Sequence, residues 1–372
     1  MALLSHLPLG RARVAGPVLA RVLFIAISVA SLLTLDALAV APASVSAAVP
    51  GADKGPGIER GSAQAVVGGT RRLNLNVQPA VLHPLNATDL YGNIVLDDIY
   101  ETLTQQDVDS LRQMPLLAES WSVSADHKQF TFHINPAARW QDGQPVTAED
   151  VKFSFDVLQD PRLRTHAKWE SYYGNFMGAE VVDPLTVRFT AREDRYLNLF
   201  NLSALRIVPR HAYGTGDPNE TPLAKAPLGS GPYRFESWNR GQSIVLRRDP
   251  HYWGWRLPQN VGRYNSQRLL LRFIMADKVS LESFKRGDLD EINLKPEQWF
   301  NETAAPEFGI WPHPGTRFTK LEVKNQAPRP YSYVGWNLAS PLFSDRQVRL
   351  ALGLLFDRDT YIQKIFHGTR VK

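Results

Sequence analysis

One segment, residues 117–161, constrains the fold more than any other part of the chain, because it predicts two strands and a helix in close succession. Its sequence is LAESWSVSADHKQFTFHINPAARWQDGQPVTAEDVKFSFDVLQDP. Within it, residues 129–134 alternate in polarity, with Phe130, Phe132 and Ile134 on one face, which is the period of a strand. The half-apolar run 120–123 precedes them across a polar turn. The order strand, turn, strand is therefore predicted before any helix begins.

A helix is predicted directly after the second strand. Asp142-Gly143 is a turn signal, and Thr147 offers the hydroxyl of a helix N-cap. Acidic residues at 149 and 150 fall in the first turn, where their negative charges interact favourably with the positive end of the helix dipole. An apolar face follows from Val151, Phe153–Phe155 and Leu158, and Pro161 ends the helix.

Strands and helices also alternate along the rest of the chain. We predict hairpins around Asp183-Pro184 and around Arg240-Gly241, and a short helix closed by Gly287 at its C-cap. The other predicted elements are strands at Arg71–Val77, Arg268–Ile274 and Tyr331–Leu338, and helices at Ile94–Thr102 and Val348–Phe356. This alternation predicts an α/β fold.

The segment 117–161 resembles the signature of the family 5 extracellular solute-binding proteins, the oligopeptide, dipeptide and nickel receptors of ABC importers. Two further blocks resemble that family in order and spacing: PLGSGPYRFESWNRGQSIVLRRDPHYW at 227–253 and YVGWNLASPLFSDRQVRLALGLLFDRDTYIQKIFHG at 333–368. Between them, LESFKRGDLD at 281–290 is similar to a shorter family block. The resemblance covers about residues 71–372.

The resemblance implies a two-lobed periplasmic binding protein of the class II type, in a family with an extra small domain, whose lobes close on a ligand like a hinge. The first lobe would be discontinuous, formed by residues 71–115 and 227–310. A small domain of residues 116–226 would be inserted into it, and residues 311–372 would begin the second lobe. Since the family's second lobe continues well past the last block, we expect a lobe truncated at the C-terminus, with the apolar residues of the helix near 348–356 left exposed.

Residues 1–48 are predicted to be a cleavable signal peptide. An apolar run, 22–35, is too short to span a bilayer comfortably, and small residues at 43–48 offer cleavage sites. Three basic residues precede the run: Arg11, Arg13 and Arg21. The alternative is an uncleaved membrane anchor, because weakly apolar residues continue as far as Ala43.

The composition limits the cellular compartment in which the protein is expected to act and the class of partner that it is expected to bind. The chain has no cysteine, which excludes a lipoprotein anchor and disulfides, so an exported protein of this kind points to the periplasm. Residues 49–70 are rich in Gly, Ala and Pro and predict a flexible mature N-terminus. The formal net charge of +5 comes from scattered basic residues, which argues against a nucleic-acid partner.

The sequence shows few catalytic or metal-binding patterns. The nine histidines show no His-x-x-x-His or His-Glu-x-x-His spacing. Residues 229–231, Gly-Ser-Gly, suggest a phosphate loop, but Pro232 follows and removes a donor, which favours a tight turn. The acid pairs 97–98 and 288/290 lack partners at metal-ligand spacing. We therefore expect no enzyme activity, no metal site and no cofactor.

Aromatic residues say more about packing and ligand binding in this sequence than titratable residues do. The chain has nine Trp and twelve Tyr. Trp121, Trp140 and Trp238 stand at positions of the family signature and are predicted to pack the small domain and the lobe junction. Other aromatic residues are candidates to line a ligand cleft, where Trp and Tyr give a large contact area with a polar handle.

The resemblance implies ligand capture for an ABC importer. A short peptide would lie extended in the cleft and pair its main chain with protein backbone, with its side chains in roomy, wet pockets. The receptor would act as a monomer and deliver the peptide to an inner-membrane permease. The loop 86–91 corresponds to the family's peptide-pairing edge. The candidate ligand-binding residues are Thr88, Asp89, Leu90, Tyr91, Trp336 and Asn337.

Three alternatives remain open. Members of the family also bind nickel complexes, oligosaccharides and haem, so the fold alone does not fix the ligand. A sensor subunit would deliver its ligand to a chemoreceptor or kinase instead of a permease. A secreted hydrolase would need a catalytic group in a cleft, and the sequence shows none.

Overall fold

The computed structural model describes residues 61–62, 64–310, 316–322 and 333–368. The predicted leader, residues 1–48, and the first part of the predicted flexible N-terminus lie outside the described residues. The described residues belong to two compact units. The larger unit holds the described residues up to 295 together with 304–310 and 316–322, and the smaller unit holds residues 296–303 and 333–368.

The larger unit combines strands and helices in the alternating order that the sequence predicts. In chain order its elements are β1 (Gly68–Asn74), α1 (Leu90–Asp97), β2 (Thr104–Gln106), β3 (Gln113–Pro115), β4 (Ala118–Val123), β5 (Gln129–Ile134), α2 (Ala148–Gln159), α3 (His166–Tyr173), β6 (Phe176–Asp183), β7 (Thr186–Ala191), α4 (Asn198–Ser203), α5 (Arg210–Tyr213), β8 (Tyr233–Asn239), β9 (Ser243–Arg248), β10 (Ser266–Arg272), α6 (Asp277–Arg286), β11 (Phe308–Ile310) and β12 (Phe318–Lys320).

Two four-stranded sheets organise the larger unit. The mixed sheet has the order β1-β10-β9-β8, in which β1 runs parallel to β10 and the other pairs are antiparallel. The antiparallel sheet has the order β4-β5-β7-β6. Strands of the mixed sheet thus come from both ends of the unit, and the antiparallel sheet lies between them in sequence. The boundaries of the lobes and of the small domain remain predictions.

The antiparallel sheet buries the side chains that the sequence pattern selects. In β5, Phe130, Phe132 and Ile134 are buried, whereas Thr131 and His133 are not. The ring of Phe132 meets that of Phe189 on β7 edge to face, with centroids 5.9 Å apart. Helix α2 covers this face, and the strand and helix predictions for 117–161 are confirmed.

The start of α2 is capped mainly by its own acid. The buried carboxylate of Asp150 accepts hydrogen bonds from the Thr147 N–H at 2.9 Å and from the Thr147 hydroxyl at 3.1 Å. It also accepts from the backbone N–H of Arg210 at 2.9 Å and from Nε1 of Trp140 at 3.3 Å. The helix begins where the sequence predicts, and the same carboxylate ties the helix start to α5 and to the indole ring.

Helix α1 begins and ends earlier than predicted. The sequence favoured Ile94–Thr102, but the helix spans Leu90–Asp97. It begins earlier because the Asp89 carboxylate accepts the Gly92 N–H at 2.7 Å, as an N-cap does. It ends earlier because the Asp98 carbonyl accepts the N–H of Tyr233, the first residue of β8, at 3.1 Å, and the Ile99 carbonyl accepts the N–H of Gly231 at 2.8 Å.

The ends of the mixed-sheet strands also differ from the prediction. The predicted strand 71–77 is β1 at 68–74, and Asn76 has a φ of 61° that ends the extended conformation. The predicted strand 268–274 is β10 at 266–272. Both shifts follow from the pairing of β1 with β10, because the two strands fix each other's register.

The smaller unit is helical in its described residues, with α7 (Pro341–Ser344), α8 (Arg346–Leu355) and α9 (Arg358–Phe366). The predicted strand 331–338 is wrong for its described part, because residues 333–337 are irregular; residues 331–332 lie outside the described residues. A strand needs a partner, and the described part of this unit contains none. The apolar side chains near α8 are exposed as expected: Leu354 and Leu355 have 87% and 80% of their surface accessible.

Candidate functional site

The segment between β1 and α1 is held in place by the ring of His83. This side chain is buried, and its Nδ1 accepts the backbone N–H groups of Leu85 at 3.1 Å and Asn86 at 3.0 Å. Because Nδ1 accepts, Nε2 carries the hydrogen and donates to the Pro218 carbonyl at 3.0 Å. Burial lowers the pKa of His83, which keeps the ring neutral and in this tautomer.

Side chains from the α3 region hold the same segment from another side. Nε1 of Trp169 donates to the Leu85 carbonyl at 3.0 Å. The hydroxyl of Thr165 lies 2.9 Å from Oδ1 of Asn86 and 3.2 Å from the same Leu85 carbonyl. Two residues of the segment therefore have partners about eighty positions away in the sequence, which fixes the path of the chain towards α1.

Arg206 joins this segment to the helix that follows it. Its guanidinium donates to the Pro84 carbonyl at 2.9 Å and to Oδ1 of Asn93 at 3.2 Å, and it forms an ion pair with Asp97. Asn93 in turn donates from its amide to the Asp89 carbonyl at 2.9 Å. The planar guanidinium can make these contacts together because its donors form a rigid fork.

The predicted binding residues at 88–91 form the end of this segment and the first turn of α1. Thr88 and Leu90 are exposed, and 61% of the Leu90 surface is accessible. Asp89 uses Oδ1 to cap the helix, and Tyr91 is half-buried against the hydrophobic core. Of the four side chains, Thr88 and Leu90 are thus the ones presented to solvent, whereas Asp89 and Tyr91 hold the segment in place.

The backbone of this segment offers unused hydrogen-bonding groups. In the part of the chain that the structure describes, neither the N–H nor the C=O of Thr88 has a protein partner. The N–H groups of Leu90 and Tyr91 at the start of α1 are likewise free of protein partners among those residues. Three donors and one acceptor therefore lie along four consecutive residues. The residues that flank this run are held in place by the side-chain contacts described above.

The other two predicted binding residues, Trp336 and Asn337, lie in the smaller unit. The ring of Trp336 packs against that of Phe343, with centroids 5.1 Å apart. Oδ1 of Asn337 accepts the Ala339 N–H at 3.1 Å, and the Asn337 carbonyl accepts the Ser340 N–H at 3.0 Å. These contacts make the pair part of a turn before α7 and leave their predicted role in binding a proposal.

One acidic group with a raised pKa, Glu101, is embedded in the core. Its carboxylate accepts hydrogen bonds from the Tyr252 hydroxyl and, at 2.9 Å, from Nε1 of Trp253. Burial raises the pKa of Glu101 to about 7. A raised carboxyl pKa is also typical of catalytic acids, but this group is 6% exposed and joined to two packed aromatic rings, which favours a structural role.

The tryptophan predictions have different outcomes at the three signature positions. Trp140 is buried, with 2% of its surface accessible, as expected of a packing residue. Trp121 and Trp238 are only partly buried at the edge of the core. The Arg240 guanidinium lies 3.4 Å above the ring of Trp238, a cation–π contact at the tip of the β8–β9 hairpin.

Two further observations concern metal binding and membrane spanning. Within the described ranges, no cluster of three or more His, Asp or Glu side chains is arranged to hold a metal ion. Among the helices of those ranges, none has both the length and the apolar character needed to cross a bilayer.

The sequence analysis did not identify the residues that hold positions 84–86 in place. They are His83, Thr165, Trp169 and Arg206. The local signal is weak, because a histidine after an apolar residue, as in Leu82-His83, is common in any fold. Their partners lie far away in the chain, as with His83 and Pro218. Only the folded chain shows that these side chains converge on one loop.

The sequence was compared with known families and proteins. Residues 112–372 match the family "Bacterial extracellular solute-binding proteins, family 5 Middle". The chain is 33% identical over 277 residues to the uncharacterized protein YejA of Escherichia coli strain K12, covering 73% of this chain and 44% of that protein. It is 30% identical over 323 residues to the probable peptide-binding protein YejA of Agrobacterium fabrum, covering 82% of this chain and 50% of the relative.

The fold was compared with solved structures. The oligopeptide-binding protein AppA from Bacillus subtilis, in complex with a nonapeptide, superposes with a TM-score of 0.66 at 22% identity, covering 82% of this chain and 57% of AppA. This likeness confirms the expected α/β fold of the two-lobed binding proteins. The chain spans about half the length of the curated relatives that it matches.

Proposed function

The chain belongs to the bacterial extracellular solute-binding proteins of family 5, and from that premise we propose that it captures short peptides for an ABC importer. The family is one of solute receptors, and binding in it is non-covalent. The proposed role is to hold a peptide outside the inner membrane and to deliver it to a permease. Catalysis has no part in this role.

The observation that carries the proposal is the backbone of residues 88–91. This short run has unpaired N–H groups and an unpaired carbonyl. The residues before it are held by His83, and Arg206 bonds to residues on both sides of it. An extended peptide can pair its main chain with such groups, as an added strand pairs with the edge of a sheet. Because the segment is fixed before the ligand arrives, little conformational entropy is lost when the peptide binds.

The position of this segment in the fold supports the same proposal. β1 runs parallel to β10, and the segment leaves the carboxyl end of β1. In open α/β sheets, ligands bind in the crevice outside the carboxyl ends of the strands. The exposed Leu90 adds an apolar surface beside the unpaired backbone groups, which suits side chains of varied sequence.

Two of the compared proteins support a peptide as the proposed ligand. The Agrobacterium protein is a probable peptide-binding protein, and AppA holds a nonapeptide in its structure. The proposal for this chain also includes export to the periplasm by the leader 1–48, action as a monomer and transfer of the peptide to an inner-membrane permease. Trp336 and Asn337 are proposed to contribute to the same binding function from the smaller unit.

Mass spectrometry of ligand that co-purifies with the protein tests this function. The protein is expressed with its own leader, isolated from the periplasmic fraction without denaturation, and its bound small molecules are released with acid. We expect a mixture of short peptides. A single metal complex, an oligosaccharide or haem would replace the peptide proposal by another ligand class, and cleavage of added model peptides would indicate a hydrolase.

A matched pair of variants tests the backbone contact. Thr88→Pro removes the N–H that would pair with the peptide, whereas Thr88→Val keeps it and changes only the exposed side chain. Peptide affinity measured by calorimetry should fall about tenfold for the proline variant, the loss of one good hydrogen bond, and stay near wild type for valine. Equal affinities for the two variants would contradict the proposed pairing.

A further inference from the structure

A second feature of the larger unit is a cavity of about 300 Å³ at the carboxyl end of β10. Leu270, Phe273 and Ile274 line one part of it, and Ser243 and Arg272 line another. The volume lies at the lower end of the range for small-molecule sites. The cavity has therefore room for a ligand group of modest size with both apolar and polar atoms.

The cavity borders the segment that leads to Thr88. The side-chain oxygen of Gln78 accepts the N–H of Gly241, which is part of the cavity wall. The Asn74 amide, at the end of β1, donates to the carbonyl of Ile274, also a wall residue, at 3.0 Å. The cavity and the start of the binding segment therefore lie at the same end of the mixed sheet, where β1 and β10 finish.

Arg272 differs from the other arginines on its face of the sheet. Arg72 pairs with Asp290 at 3.2 Å, Arg234 with Asp249 at 2.8 Å and Arg268 with Glu236 at 2.6 Å. Within the described ranges Arg272 is half-buried and has no carboxylate partner. Arg247 is also without a carboxylate among those residues, but it is exposed and outside the cavity wall.

The register places a second polar group beside the guanidinium. Arg272 lies directly opposite Ser243 in the antiparallel pair β10–β9, so the two side chains stand on the same face of the sheet. A guanidinium and a hydroxyl together suit a carboxylate, since the guanidinium fork donates two parallel hydrogen bonds to it. A half-buried cation is less hydrated than an exposed one, which strengthens its attraction to an anion.

We propose that this cavity is a subsite for a carboxylate group of the bound ligand, held by Arg272 and Ser243, with an apolar group against Leu270 and Phe273. The carboxylate is either the C-terminus of a peptide or an acidic side chain. The inference rests on the proposed peptide-binding function and adds a preference to it: ligands that carry a carboxylate at this position bind more tightly than neutral ones.

A small probe tests the subsite without requiring peptide capture. The full chain, labelled with ¹⁵N, is titrated with N-acetyl-L-leucine and, separately, with N-acetyl-L-leucinamide. The acid should shift the resonances of Phe273 and of the Arg272 side chain and bind about tenfold more tightly than the amide, because only the acid pairs with the guanidinium. Equal shifts from the two probes, or none at Arg272, would overturn the proposal.

Two charge-matched variants localise the effect. Arg272→Gln removes the proposed partner, and Arg247→Gln removes one positive charge from the neighbouring strand outside the cavity. We expect the preference for the acid over the amide to vanish in the first variant and to persist in the second. Equal loss in both would show that general charge attraction explains the preference and that no subsite exists. Ser243→Ala, which leaves the charge unchanged, should lower the affinity for N-acetyl-L-leucine a few-fold.

Peptides distinguish the source of the carboxylate and separate the two proposals. Ala-Ala-Leu, its C-terminal amide and Ala-Glu-Ala amide are compared by calorimetry. Tighter binding of the first peptide assigns the site to a C-terminus, and tighter binding of the third assigns it to an acidic side chain. If no peptide binds but N-acetyl-L-leucine still reaches Arg272, the peptide function fails and the subsite stands. If all three peptides bind equally, the subsite is overturned and the peptide function stands.

Discussion

The side-chain amide of Gln141 donates a hydrogen bond of 2.7 Å to the backbone carbonyl of Tyr233, the first residue of β8. The same amide also donates to the Gly231 carbonyl at 3.1 Å, and its oxygen accepts the Gly229 N–H at 3.2 Å. One buried glutamine from the turn before α2 thus provides hydrogen-bond partners for three backbone groups of the chain that enters the mixed sheet. The tight turn expected at 229–231 is therefore a structural junction.

We predict that Gln141→Leu destabilises the protein by roughly 2–4 kcal/mol, because it leaves the buried carbonyls of Gly231 and Tyr233 without donors. Gln144→Leu is the control, since Gln144 is exposed three residues away. Urea unfolding followed by tryptophan fluorescence gives both free energies. Similar stabilities for the two variants would show that the Gln141 contacts contribute little.

Gly229→Ala should be poorly tolerated. A Cβ at this position would lie 1.9 Å from the Ile99 carbonyl oxygen, so the two backbone segments would have to separate. We expect a loss of at least about 3 kcal/mol or insoluble protein. Gly178→Ala is the matched control, because a Cβ there meets nothing within 4 Å, and its stability should stay within about 1 kcal/mol of wild type. Normal stability of the Gly229 variant would refute the close packing.

Glu101 should make the stability depend on pH. Its pKa is about 7 in the folded chain against an ordinary value of 4.5, so the folded state retains a proton that the unfolded state loses between those values. The stability that Glu101 contributes is therefore fully present below pH 4.5 and falls as the pH rises towards 7.

The wild type should lose about 2–3 kcal/mol relative to Glu101→Gln between pH 5 and pH 8. Urea unfolding at both values measures the difference. The comparison with the variant is needed because burial and the nearby Asp97 charge also raise the pKa of Asp98 to about 7. A pH-independent difference between wild type and variant would mean that Glu101 titrates normally in the fold.

Trp140→Ala should cost roughly 3–5 kcal/mol and reduce the yield of soluble protein, because the ring is buried and its Nε1 contacts Asp150. Trp121 was expected to be equally important, but it is only partly buried, so the alanine variant should lose less, roughly 1–3 kcal/mol. Trp140→Phe, which keeps most of the ring volume, serves as the control. If both alanine variants fold normally and only ligand affinity falls, the two residues line the cleft.

The leader should be cut near Ala47 or Ala48. The order of basic, apolar and small residues in positions 11–48 motivates this expectation. N-terminal sequencing of protein from the periplasmic fraction measures the site. Recovery of the chain from the membrane fraction with Met1 intact would favour the alternative of an uncleaved anchor.

The sequence by itself determined the elements whose signals are local. The period of β5, the acids at the start of α2 and the left-handed Gly287 that closes α6, with a φ of 81°, each depend on a few neighbouring residues. The family motifs lie on these same elements. The α/β fold class could therefore be predicted without coordinates.

Tertiary structure decided what depends on partners distant in the chain. The end of α1 follows from the carbonyls of Asp98 and Ile99, which bond to Tyr233 and Gly231, more than a hundred residues away. The path of the 83–91 segment depends on Pro218 and Arg206, and the polar character of the cavity depends on the register of Arg272 with Ser243. A local pattern carries no record of such contacts, because they form only when the folded backbone brings distant segments within hydrogen-bonding distance.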